Sequence, residues 1–129
     1  MKRVVIDTNI LISAVISPKG NPAQIMSLVS FKKLLLFYSI DILYEYKKVL
    51  TYKKLEIPIQ EQIEIINSII KLGMLIEPMT SHIPLPDETD RIFYDTAQTS
   101  GAYLITGNIK HFPVKPFIIT PARFLDEIM

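Results

Sequence analysis

The sequence predicts an α/β domain with a mostly parallel sheet and helices on both faces. Two observations carry this. Short apolar runs alternate along the chain with segments of helical length, and such alternation places each strand beside the next through a helical crossover. The strand candidates are also short, mostly apolar runs rather than alternating ones, which is the pattern of strands buried on both faces. The 129 residues fit one domain, 1–129.

The first strand is read at 3–6, from "RVVI". Thr8 and Asn9 are placed to cap a helix over "ILISAVI", which stops before Ser17-Pro18-Lys19-Gly20. Asn21-Pro22 restarts a helix to about Ser30, with Asn as cap and Pro at the first helical position. "LLLFYS" (34–39) is the second strand. A helix runs from Asp41 to about Lys53, and another from about Gln60 to Leu72, opened by Pro58 and closed by Gly73. "MLIE" (74–77) is the third strand, followed by a loop at 78–87 with three prolines. A helix from about Glu88 to Ser100 ends at Gly101. "YLIT" (103–106) and "FIIT" (117–120) are the last strands, and Pro121 opens a short final helix.

Composition excludes several classes. Hydrophobic residues at 49% and charged residues at 21% are globular values. Fourteen basic and thirteen acidic residues nearly cancel, so net charge alone does not point to nucleic acid. The absence of cysteine removes disulfides, zinc–thiolate sites and thiol catalysis. With no signal-peptide pattern, the expected compartment is the cytoplasm, and no apolar run is long enough to span a bilayer.

The chemistry lies in the acids. In parallel sheets, ligands bind in the crevice beyond the carboxyl ends of the strands. Asp7 follows the first strand directly, where two roles fit it: a helix cap or a functional group. Glu45 interrupts the apolar face formed by Ile42, Tyr46 and Val49. A pair with Lys48 would supply only about 0.3 kcal/mol, too little for a buried carboxylate, so function is favoured there. Asp90 shares a face with Phe93 and Ala97 and is expected to point into the crevice. Asp87 and Glu88 read as ordinary solvated first-turn acids. Asp95 lies about 140° around the helix from Asp90. It either lines the pocket more deeply or pairs with a basic side chain. Asn108, after Gly107, either reaches the same rim or caps the turn "IKHF".

Three carboxylates on one rim repel. At ~5 Å and an effective dielectric of ~20, each pair costs roughly 3 kcal/mol. A hard divalent cation offsets this, and oxygen-only ligands suit Mg²⁺ or Mn²⁺. Such a site is equipped for metal-assisted phosphodiester hydrolysis. Lys32, Lys33, Lys47, Lys48, Lys53 and Lys54 cluster near the second strand and the helix after it, mostly as a solvated face. Lys110 and His111 lie beside the proposed site, within reach of phosphate.

Four segments carry a family resemblance: "VVIDTNILISAVISPKG", "DILYEYKKVL", "DETDRIFYDTAQTSGAYLITGNIKHFP" and "IITPARFLDEI". In this order they resemble a PIN domain, and within that family the VapC-like toxin ribonucleases of prokaryotic toxin–antitoxin pairs. The resemblance implies a three-layer α/β/α sandwich around a mostly parallel five-stranded sheet. It also implies an Mg²⁺- or Mn²⁺-dependent endoribonuclease, an RNA substrate, an antitoxin protein as partner, and a homodimer. The family's first three acids match Asp7, Glu45 and Asp90 as metal ligands and catalytic residues. Its fourth, in a Thr-x-Asp turn, matches Asn108, which makes Asn108 a weak ligand; Asp95 has no counterpart in that match and stays a candidate ligand only on the deeper-pocket alternative. Asn9, Lys110 and His111 are the substrate-contact candidates. A haloacid-dehalogenase-type phosphatase wants a second aspartate two residues after the first, and Asn9 stands there instead. A degenerate PIN module that binds RNA or protein without cutting is the alternative, and Asn108 is the residue that favours it.

Overall fold

The computed structural model describes residues 1–128. Five strands form one sheet in the order β3-β2-β1-β4-β5, every neighbouring pair parallel. They are β1 (Lys2–Ile6), β2 (Leu34–Tyr38), β3 (Met74–Leu75), β4 (Tyr103–Ile105) and β5 (Ile118–Ile119). The helices are α1 (Thr8–Ile16), α2 (Asn21–Ser30), α3 (Ile40–Leu50), α4 (Ile59–Leu72), α5 (Arg91–Ser100) and α6 (Pro121–Ile128).

Successive side chains of a strand point to opposite faces. Val4 and Val5 are both fully buried, as are Leu104 and Ile105, so both faces of the central strands are covered. The result is the expected α/β/α sandwich. The outer strands are shorter than their apolar runs, because β3 and β5 each pair along one edge only. Ile76 adds one hydrogen bond to the Tyr38 carbonyl and then leaves the sheet.

Several helix ends differ from expectation. Asp7, not Thr8 or Asn9, stands at the cap position of α1, and its side chain makes no capping bond. Gly20 precedes α2, which puts Asn21 inside the helix. Ser39 caps α3, its hydroxyl accepting from the Ile42 N–H at 3.2 Å. α3 ends at Leu50, and Lys53–Leu55 form a separate 3₁₀ turn that closes at Glu56 with φ 53°. Glu88–Asp90 form another 3₁₀ turn rather than the start of α5. Asp87 caps it, accepting from the Thr89 N–H and hydroxyl, and this competes with α-helical pairing.

Two glycines stop helices for different reasons. Gly101, φ 67°, is the left-handed residue that closes α5. Gly73 is extended, and a Cβ there would sit 2.9 Å from the Tyr38 ring and 2.8 Å from the Ile69 carbonyl. It is needed for close packing of the α4–β3 corner. Among the described residues, no helix is long and apolar enough to cross a membrane.

Candidate functional site

Strand order reverses between β1 and β4: the chain leaves β1 towards β2 and β4 towards β5. Ligands bind beyond the strand ends at such a switch point. A cavity of about 380 Å³ opens there, lined by Asp7, Asn9, Glu45, Asp87, Asp90, Asn108 and His111 among others. A second cavity of about 360 Å³ lies between α1, α2 and α4, with mainly apolar walls and Ser30, Glu61, Glu64 and Ser68 as its polar side chains.

Asp7 is the most enclosed acid of the site, 6% exposed. Its backbone N–H donates to the Ile105 carbonyl at 3.0 Å, continuing the β1–β4 ladder one residue past the strand. Its Oδ2 accepts from the Thr106 hydroxyl at 2.7 Å. That hydroxyl also accepts from the Asn108 N–H at 3.0 Å, so one threonine ties Asp7 to the turn after β4. Burial pushes the Asp7 carboxyl above its ordinary range, opposed first by Thr106 and then by the N–H groups of Thr8 and Asn9 and by His111.

Glu45 reaches the cavity from α3. The buried Tyr46 hydroxyl donates to the Ile6 carbonyl, fixing that helix against the end of β1. Glu45 forms no ion pair with Lys48 or any other described residue. Asp90 enters from the 3₁₀ turn before α5. Burial raises its carboxyl first, the charges of Asp7 and Asp87 raise it further, and His111 draws it down. His111 Nδ1 lies 3.4 Å from Asp90 Oδ2, an ion-pair distance without hydrogen-bond geometry. That buried oxygen therefore has no hydrogen-bond partner.

Asn108 lines the cavity, and its side chain makes no capping bond to the turn at 109–111. Two candidates lie elsewhere. Asp95 is 5% exposed, does not line the cavity, and has an unpartnered Oδ1. Its place around the helix turns it away from Asp90, and its charge acts on Arg91 and Tyr94 instead. Lys110 is exposed and off the cavity wall.

The cavity also holds residues not singled out above as site groups. Asp87 is exposed, as expected of a first-turn acid, and also stands on the cavity rim, and Tyr52, Lys54 and Thr89 complete the wall. Thr106 was hidden because threonine ends a strand without any polar signal. Lys54 was one of six clustered lysines, with no pattern to separate it.

The donor set fits a hard divalent cation. It is all oxygen, burial raises the Asp7 and Asp90 carboxyls, and one buried oxygen of Asp90 makes no hydrogen bond. Among the described residues, no three acidic or imidazole side chains stand close enough together to hold a metal ion between them. The acids expected to converge share a wall instead, which suits an ion that keeps several waters.

Residues 3–110 match the family model described as "PIN domain". The chain belongs to the PIN domain family. PIN domains are generally nucleases that use divalent metals. A curated relative, the uncharacterized protein MJ1680 of Methanocaldococcus jannaschii, is 34% identical over 113 residues, covering 82% of this chain and 70% of that protein. Among solved structures, a chain of VapBC2 from Rickettsia felis, crystallised with a DNA fragment from its promoter, superposes with a TM-score of 0.60. It is 20% identical, and the match covers 92% of this PIN domain and 96% of that chain.

Proposed function

We propose that this PIN domain, as a single unit over 1–129, is an Mg²⁺- or Mn²⁺-dependent endoribonuclease and the toxin of a toxin–antitoxin pair. The observation that carries the reading is that Asp7, Glu45 and Asp90 line one polar cavity at the strand switch point, with Asp90 Oδ2 buried and making no hydrogen bond. Asp7, Glu45 and Asp90 hold the cation, with Asn108 as a neutral fourth group. When bound, the ion supplies a water nucleophile at neutral pH and offsets phosphate charge. Thr106 fixes the rotamer of Asp7. Asn9, Lys54 and His111 on the cavity wall, with Lys110 beside it, meet the phosphate backbone of RNA. The likeness to a VapBC2 chain supports an antitoxin partner; a homodimer and a cytoplasmic site of action complete the reading. The test is cleavage of RNA by purified protein with Mn²⁺ and its loss in EDTA. Metal-independent cleavage, or none under any divalent ion, overturns it.

A second reading is favoured by one residue. Asn108 brings a dipole where relatives of the VapC kind bring a charge, which suits a PIN module that binds RNA without cutting. RNA cleavage at saturating Mn²⁺ separates the two, and Asn108→Asp tests the premise that this position faces the ion. For a nuclease, the added charge tightens Mn²⁺ binding by roughly tenfold, within the range that changes at a metal's surroundings produce. Calorimetric titration reads this directly, and equal affinity in both proteins would mean that Asn108 does not face the ion.

A further inference from the structure

The segment from Ile76 to Asp87 joins β3 to the 3₁₀ turn at 88–90 without regular secondary structure. Loops of this length are ordinarily mobile. Yet it delivers Asp87 and Asp90 to the cavity wall, where the geometry of a metal site must hold to a fraction of an ångström. What holds it is Arg91. Nη1 donates to the Ser81 carbonyl at 3.0 Å and to the Ser81 hydroxyl at 2.8 Å. Nη2 donates to the Ile83 carbonyl at 2.7 Å and to Glu88 Oε1 at 2.6 Å, and Nε donates to Glu88 Oε2 at 2.7 Å.

A guanidinium has five N–H donors. These five bonds use all of them, so none is left for a substrate phosphate. The Arg91 side chain is only 17% exposed. One further tie, the Thr99 hydroxyl accepting from the Met79 N–H at 2.9 Å, fastens the start of the loop to the far end of α5.

We infer that Arg91 is a positioning residue: it locks the loop at 81–83 to the turn at 88–90 and so fixes Asp90 opposite Asp7. The inference rests on the proposed metal-dependent function. Lysine keeps the charge but has three donors on a point-like head, and cannot span Glu88, Ser81 and Ile83 together. Arg91→Lys is therefore the informative change. Glu88→Gln, at an exposed site, is the companion variant that folds if Arg91→Lys does not.

Two measurements on the full chain decide it. Hydrogen exchange at the amides of 79–90 quickens in Arg91→Lys, while the amides of β1 and β4 stay protected. Calorimetric Mn²⁺ affinity falls by about 10–100-fold, the usual cost of losing a group that orients metal ligands. Glu88→Gln shows both effects to a smaller degree. Unchanged exchange in a folded variant overturns the clamp. Faster exchange with wild-type Mn²⁺ affinity overturns the positioning of Asp90. Wild-type protein that binds no Mn²⁺ overturns the metal-dependent reading itself, and Asp90 positioning with it.

Discussion

Asp7→Asn lowers Mn²⁺-dependent RNA cleavage by at least about a hundredfold while the protein stays folded. The magnitude is the upper range for disturbing the ligand arrangement of a metal site. The fold survives because the amide oxygen of asparagine can still accept from Thr106, whose bond to Asp7 Oδ2 ties β1 to the turn after β4. What disappears is the charge. The metal-free protein should gain from that loss. Burial raises the Asp7 carboxyl above its ordinary 3.8. An acid raised in this way contributes stability that is present below its unfolded pKa and is lost as pH rises through the folded value. Asp90, also raised, has the same sign. In EDTA, then, the wild-type Tm declines from the acid range towards neutrality more steeply than that of Asp7→Asn. Parallel Tm profiles would show that Asp7 carries no burial penalty. Wild-type cleavage by the folded variant would remove it from the site.

The same balance explains what could be read from residues alone. Val4, Val5 and Ile6 announce a strand covered on both sides, because no solvent-facing position interrupts them. Asp7 announces itself by ending that run. Such contrasts are local, and they survive without a structure. Helix ends are less legible because several groups compete for each. Asp87 binds Thr89 and tightens 88–90 into a 3₁₀ turn, so Asp90 stands before α5 rather than inside its first turn. Leu50 ends α3 because Tyr52 is extended, so Lys53–Leu55 form a separate 3₁₀ turn, and Lys54 on it reaches the cavity wall. Thr106 and Arg91 were invisible for a different reason. Their partners lie across the fold or in an irregular loop, and no periodicity encodes an irregular loop.

Adding Mn²⁺ raises the Tm of the wild-type protein, and this is the largest stability effect expected. A ligand that binds only the native state stabilises it by about 2.7 kcal/mol at a hundredfold excess over Kd. For a chain of this length that corresponds to roughly 10 °C. The gain has a second source. After burial, the Asp7 charge raises the cost of ionising Asp90 in the metal-free protein, and a dication beside them reverses the sign of that interaction. Glu45→Gln should therefore show a smaller rise, because one charged ligand is gone while the Asp7–Asp90 pair remains. Asp90→Asn should start from a higher metal-free Tm and rise least, because it removes both the repulsion and a ligand. Asp95→Asn is the internal control. Asp95 is as buried as Asp7 but lies off the cavity wall, so its substitution shifts the baseline and leaves the Mn²⁺ increment unchanged. Thermal scans of the four proteins with and without Mn²⁺ decide among these claims. A reduced increment in Asp95→Asn would place that carboxylate at the metal after all. An undiminished one in Glu45→Gln would take Glu45 out of the site, leaving Asp7 and Asp90 to hold the ion.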